Sequence, residues 1–225
     1  MRDGEAVLTG STNFTTTGVT RNLNHVVIVQ GVPTARAYSQ EFREIQQGRF
    51  GKLSVDRDAK PETAMVSGVP VKVLFAPDHA PEMEIMKQML KARRTMGIDD
   101  TMLAVRQAGV KVKGVLDGQQ ANQQWAAAHR LVGRPGVQLR QVASSDTVGK
   151  LHHKLMIVDG QVIIAGSFNY TGPANKLNDE NIVVIGDLGT ESQQGTERQR
   201  RLAAYAAWEV ERMYERLGTS IAKAA

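Results

Sequence analysis

Between Leu151 and Asn169 the chain reads LHHKLMIVDGQVIIAGSFN, which sets His152, Lys154 and Asp159 in H-x-K-x4-D spacing and follows them with Gly166, Ser167 and Asn169. In an extended run from Leu151 to Val158 alternate side chains share a face, so His152 and Lys154 point one way and His153 the other. An imidazole of near-neutral pKa beside an ammonium is equipped for phosphoryl transfer. The ring attacks phosphorus or protonates a leaving oxygen, and the lysine holds non-bridging oxygens. Asn169 adds amide donors and Ser167 a hydroxyl, which together clamp the charge of a five-coordinate phosphorus. Asp159-Gly160 reads as a hairpin turn between two apolar strands, and that turn folds Asn169 back beside Lys154.

With those residues in place, the stretch resembles the phospholipase D superfamily, whose mark is an HKD motif followed by G-S-x-N. The resemblance takes in His152, Lys154, Asp159, Gly166, Ser167 and Asn169, and extends to Glu180 in the NDEN segment. It implies a phospholipase D-like α/β/α sandwich with a mixed sheet. It also implies two-step phosphodiester hydrolysis or transfer through a phosphohistidine, with no cofactor and no metal. Glu180 is then the carboxylate that hydrogen-bonds a catalytic histidine and fixes its tautomer. Asp159 stands open between a catalytic role and a turn.

An internal repeat accompanies the motif. Asp3-Gly4 followed by Gly10, Ser11 and Asn13 reproduces Asp159-Gly160 followed by Gly166, Ser167 and Asn169, and Phe14-Thr15 matches Tyr170-Thr171. Ser11 and Asn13 therefore join Lys154, Ser167 and Asn169 as candidate phosphate-binding residues. Further on, Asn24–Gln30 echoes Asn181–Asp187. The superfamily's two-lobed members bring one HKD motif per lobe to a shared pseudo-twofold site, but no H-x-K precedes Asp3 here. The expected organisation is residues 1–51 as the remnant of a first lobe, 52–69 as a linker, and 70–225 as a second lobe, with the motif core at 147–173. The chain reads as a truncated product or fragment.

A second departure lies after the helix expected from Pro81 to about Arg94, where a strand usual in the family is missing around Thr95–Gly97. Its loss should either close up the sheet or leave a gap in the core. The other expected elements of this lobe are strands Val71–Ala76, Lys111–Leu116, Val137–Val142 and Asn181–Ile185, and helices Asp99–Ala108, Ala121–Leu131 and a long one from about Thr196. In the first lobe a helix is expected over Thr34–Gln47.

Composition bounds the partners. A net charge of +5 and a pI near 9.6 favour an anionic partner, a lipid headgroup or a nucleic acid. No cysteine is present, which excludes disulfides and thiolate metal sites, and no apolar run has the ~20 residues of a membrane-spanning helix. The chain reads as soluble or peripheral, with its compartment open. At 5% aromatic residues it lacks the aromatics interleaved with basic residues that single-strand nucleic-acid binding uses.

Several other features read as structural. Met83, Met86, Met89 and Leu90 form a helical stripe expected in the core, and Tyr205 and Trp208 are expected to anchor the last helix on the sheet. His25 and His79 read as solvated loop or strand-end residues, and His153 as structural. A second histidine is still needed as acid. It is expected either from a homodimer that pairs two copies of His152 or from complementation by a missing first lobe. The leading function is a phosphodiesterase acting on phospholipids. The alternatives are a metal-independent endonuclease acting as a homodimer and a catalytically inactive phosphate-binding remnant.

Overall fold

A computed structural model describes residues 1–54, 60–92, 95–96, 110–124, 126, 128–189 and 192–222. The amino-terminal part folds as β1 (Ala6–Gly10), α1 (Thr16–Thr20), β2 (Val26–Gln30) and α2 (Val32–Gln46). The rest follows as β3 (Thr63–Val66), β4 (Val69–Ala76), α3 (Pro81–Lys91), β5 (Thr95–Met96), β6 (Lys111–Asp117), α4 (Gly118–Ala121), α5 (Ala128–Leu131), β7 (Val137–Val142), β8 (Leu155–Val158), β9 (Val162–Gly166), α6 (Gly172–Lys176), β10 (Glu180–Ile185), α7 (Gln193–Arg216) and β11 (Thr219–Ser220).

The strands form three sheets. β1 pairs with β2, an antiparallel sheet runs β3-β4-β10-β9-β8, and a mixed sheet runs β11-β7-β6-β5 with β5, β6 and β7 parallel. Helices cover both faces of the five-stranded sheet, because its strands are apolar on both sides. Leu74, Met156, Ile164 and Ile182 pack on Ile85 and Met89 of α3. On the opposite face Ile163 and Ala165 meet Ala203 of α7, and Val71, Val73, Phe75 and Val183 meet Val29 of β2. The amino-terminal segment is thus docked on the five-stranded sheet through a shared apolar cluster. The expected α/β sandwich with a mixed sheet is what forms. No helix among the described residues is long and apolar enough to cross a membrane.

β3 lies within 52–69 and turns back onto β4 through Ser67 and Gly68, both at positive φ. The stripe expected on α3 is rotated: Ile85 and Met89 are buried, whereas Met83 and Leu90 are exposed. Its buried face includes Glu84, which accepts a hydrogen bond from Lys72 at 2.9 Å. On α7 the residues facing the sheet are small or slim, Gly195, Gln199 and Ala203, so the helix approaches closely and Tyr205 and Trp208 remain 77% and 59% exposed. They are not core anchors. The helix expected over Ala121–Leu131 is two short pieces, α4 and α5, and the helix expected at Asp99–Ala108 lies outside the described residues.

Where no strand was expected, β5 contributes two residues, pairing Thr95 with Lys111 and Met96 with Val112. A cavity lies beside this short strand among the described residues. β6 and β8 face each other across this cavity of about 630 Å³, lined by Val112, Val115, Leu155 and Ile157 and overlaid by Val210 and Met213 of α7.

Candidate active site

Two equivalent turns and two glycines set the local frame. Asp159 and Gly160 have φ of 51° and 65°, and the Gln161 N–H closes onto the Val158 carbonyl at 3.0 Å. This is the two-residue turn with positive φ at both centres that suits a hairpin. Asp3 and Gly4, at 52° and 69°, build the same turn, closed by the Glu5 N–H on the Arg2 carbonyl at 3.0 Å. After each hairpin strand a glycine meets the next strand's backbone. A Cβ on Gly166 would lie 2.1 Å from the Asn181 carbonyl oxygen, and one on Gly10 would lie 2.3 Å from that of His25. Glycine is obligatory at both places.

These contacts fix the phase of the repeat at 156 residues, the step from Gly10 to Gly166. His25 is then the counterpart of Asn181, and Asn24 that of Glu180. The serines agree, because the Ser11 hydroxyl accepts from the His25 N–H at 3.1 Å and the Ser167 hydroxyl from the Asn181 N–H at 3.0 Å. Matching Asn24 to Asn181 by residue type puts the repeat one position out of step.

His152 and Lys154 lie just ahead of β8, in extended chain tied to the amino-terminal segment. The His152 N–H donates to the Leu23 carbonyl at 2.9 Å, and Leu23 and Leu151 form a parallel bridge. Alternation is preserved, since Leu151, His153, Leu155 and Ile157 all line the large cavity while His152 and Lys154 face away from it. His152 Nδ1 lies 2.9 Å from the Ser11 carbonyl oxygen and 3.0 Å from Asn24 Oδ1. A carbonyl only accepts, so Nδ1 carries the proton and Nε2 holds the lone pair.

Burial, then the charges of Lys154 and Lys150, lower the His152 pKa against the opposing pull of the Ser11 hydrogen bond and Asp117. The ring is therefore neutral at neutral pH and able to act as a nucleophile. Lys154 is buried and donates to the His152 carbonyl at 3.1 Å. Desolvation first, and Lys150 next, pull its pKa down to about 8, while Glu180 and Asp117 oppose the shift.

The remaining candidates take varied places. Glu180, half-buried, accepts from Asn169 Nδ2 at 3.4 Å, and the side chain beside His152 is Asn24. Ser167 and Ser11 fasten the starts of β10 and β2. Asn13 sits on an exposed turn, where its carbonyl accepts from the Thr15 N–H at 2.8 Å. Asp159 stands at the hairpin tip, and roughly 16 Å of extended strand separates it from Lys154. Here it serves the turn.

Sequence reasoning passed over Asn24, Asp117 and Lys150. Asp117, the residue after which α4 begins, accepts from the Leu151 N–H at 3.2 Å and so holds the motif's first residue. His25 is not solvated either. Its Nδ1 lies 3.2 Å from His153 Nδ1, the two rings stack 5.4 Å apart, and His153 Nε2 reaches Glu209 at 3.7 Å. His79 Nδ1 accepts from the Phe75 N–H at 3.0 Å and braces its own turn.

Known proteins resemble this chain in sequence and in fold. The family profile described as cardiolipin synthase, PLD-like domain, matches residues 82–200. Among curated proteins the chain is 34% identical over 90 residues to the mitochondrial cardiolipin hydrolase of Chlamydomonas reinhardtii, covering 40% of this chain and 39% of that protein. It is 31% identical over 128 residues to the phospholipase D of Rickettsia typhi, covering 52% of this chain and 60% of that protein. The matches thus span between two fifths and three fifths of these relatives. Among solved structures, a phospholipase D family member, Nuc from Salmonella typhimurium, superposes with a TM-score of 0.54 at 21% identity over 67% of this chain and 97% of its own. The phosphatidylserine synthase of Haemophilus influenzae superposes with a TM-score of 0.62 at 12% identity over 92% of this chain and 60% of its own. These two likenesses show the fold. With the family profile matched across more than half of its length, the chain belongs to the phospholipase D-like family.

Proposed function

We propose that the protein is a phosphodiester hydrolase in which His152 Nε2 attacks phosphorus. The observation that carries this reading is the fixed tautomer of His152: the Ser11 carbonyl and Asn24 hold Nδ1, and a neutral Nε2 is left beside the Lys154 ammonium. Attack forms a P–N bond and expels the leaving oxygen. Water then attacks the phosphohistidine, the P–N bond breaks, and His152 is regenerated. Lys154, with the amide of Asn169, holds the equatorial oxygens whose charge grows in both steps. The charge of Glu180 favours the ammonium form of Lys154.

A phospholipid headgroup is the substrate class this reading favours. Its support is the family of the relatives, together with α7, whose outward face carries Leu202, Tyr205 and Trp208 near Arg198 and Arg201. Amphipathic rings and basic side chains on one helix suit peripheral contact with headgroups. The experiment compares turnover of phospholipid vesicles, a short-chain soluble phospholipid and single-stranded DNA. The reading requires hydrolysis of both lipids, with Trp208→Ala lowering the vesicle rate severalfold more than the soluble one. DNA cleavage without lipid hydrolysis would establish the nuclease alternative. No turnover of any of the three by the folded chain would leave the phosphate-binding remnant.

A further inference from the structure

The peptide unit between Lys150 and Leu151 is held from both sides. Its carbonyl accepts from the Leu23 N–H at 2.9 Å, which ties it to the amino-terminal segment. Successive amides of an extended chain face opposite edges, so the Leu151 N–H points away from Leu23. There it donates to Asp117 Oδ2 at 3.2 Å. The other oxygen of that carboxylate accepts from the Gln119 and Gln120 N–H groups at 3.1 and 3.2 Å and caps α4. One side chain at the end of β6 thus fixes both the helix that follows it and the residue before His152. An amide offers a single acceptor oxygen, so asparagine cannot serve both places.

The charges follow the same frame. Lys150, His152 and Lys154 alternate along extended chain, so their side chains share a face. The exposed Lys150 ammonium and the half-buried Asp117 carboxylate both act on His152 and on Lys154, with opposite signs. Glu180 adds to the pull that keeps Lys154 charged. The neighbouring rings of His25 and His153 have pKa values lowered to about 3 and about 4, mainly by desolvation, and are neutral near neutrality. Beyond His153, Glu209 and Arg212 of α7 pair with each other at 2.7 Å.

We infer that Asp117 and Lys150 are positioning residues that act through His152 and Lys154: the carboxylate seats the H-x-K stretch, and the two opposed charges set the pH window in which a neutral ring stands beside a charged ammonium. Removing the cation lets both groups keep their protons to higher pH, and removing the carboxylate makes both release them at lower pH. The window moves as a whole, because each charge acts on both groups in the same direction. The consequence for turnover rests on the hydrolase reading above; the titration of the two side chains does not.

The test follows the His152 ring by NMR, assigned by its loss in His152→Ala, beside the pH profile of kcat/KM on bis(p-nitrophenyl) phosphate. Lys150→Met should move the ring titration and both limbs up by roughly a quarter to half a pH unit at low ionic strength. Most of that shift should vanish in 1 M salt, where the Debye length is about 3 Å. Asp117→Asn should move all three down and lower kcat/KM severalfold at the optimum. In the double variant the limbs should return toward the parent while the rate does not, which separates the charge from the seat. A purely structural role would lower the rate and the thermal midpoint and leave the titration and the limbs in place, and that result overturns the inference. Should Asp117→Asn fail to fold, Lys150→Met and Lys150→Glu at the exposed position decide, since limbs and titration unmoved or moved down would overturn it equally. A ring titration that moves as expected in chains without turnover would uphold the tuning and overturn the hydrolase reading.

Discussion

At the scale of single residues the account turns on two protonation states. Activity needs neutral His152 and charged Lys154. The first pKa is lowered from 6.5 and the second is pulled down to about 8. The pH profile of kcat/KM on bis(p-nitrophenyl) phosphate should therefore be a bell, with its acid limb below pH 6.5 and its alkaline limb near pH 8. Asn24→Asp places a carboxylate on Nδ1, which favours the imidazolium, so the acid limb should move to higher pH. An unmoved limb would remove Asn24 from the site. His152 and Lys154 were legible because their chemistry and spacing sit together in the chain. Asn24 was not, because it comes from a distant segment whose phase is set by where Gly10 and Gly166 touch backbone, and residue-type matching slips by one.

At the scale of elements, the turns and most strands were legible, since Asp-Gly between apolar runs specifies a hairpin wherever it occurs. The helix faces were harder to read. On α3 and α7 the buried stripe is decided by how closely small or slim residues let the helix approach, so long apolar side chains such as Met83, Leu90 and Trp208 end up outside. The short β5 and the cavity beside it carry a stability consequence. Ala207→Leu extends α7 into that space, and burying the added carbons should contribute about 1 kcal/mol. The thermal midpoint should then rise by roughly 2–4 °C. A lowered midpoint would mean that the space closes in solution.

The stacked pair of His25 and His153, which joins the amino-terminal segment to the motif strand and α7, gives the elements a pH dependence. Both rings are held neutral in the fold, with pKa values near 3 and 4 against 6.5 unfolded. Below pH 6.5 the unfolded chain binds protons that the fold refuses. Their contribution is thus complete above about pH 6.5 and is lost progressively as the pH falls toward 4 and then 3. His25→Asn installs the residue found at the matching place in the other repeat, Asn181. It should flatten the fall of the thermal midpoint between pH 6.5 and 4, and an unchanged slope would exclude His25 as a source of it.

At the scale of the whole molecule, a family domain carries a complete H-x-K and packs against an amino-terminal segment that lends it Leu23, Asn24 and the Ser11 carbonyl. The docking of that segment was only partly legible. The repeat pointed to two related stretches, but the apolar cluster of Val29 with Val71, Val73, Phe75 and Val183 is a matter of packing between segments far apart in the chain. The central claim is that this assembly uses His152 as a nucleophile, and trapping the intermediate tests it most directly. The chain is mixed with bis(p-nitrophenyl) phosphate, quenched in alkali, where phosphohistidine survives, and digested for mass spectrometry. The account requires the added aryl phosphoryl mass on the peptide holding His152, and its loss in His152→Ala together with turnover. Turnover with no adduct on His152, or turnover that survives His152→Ala, would contradict it.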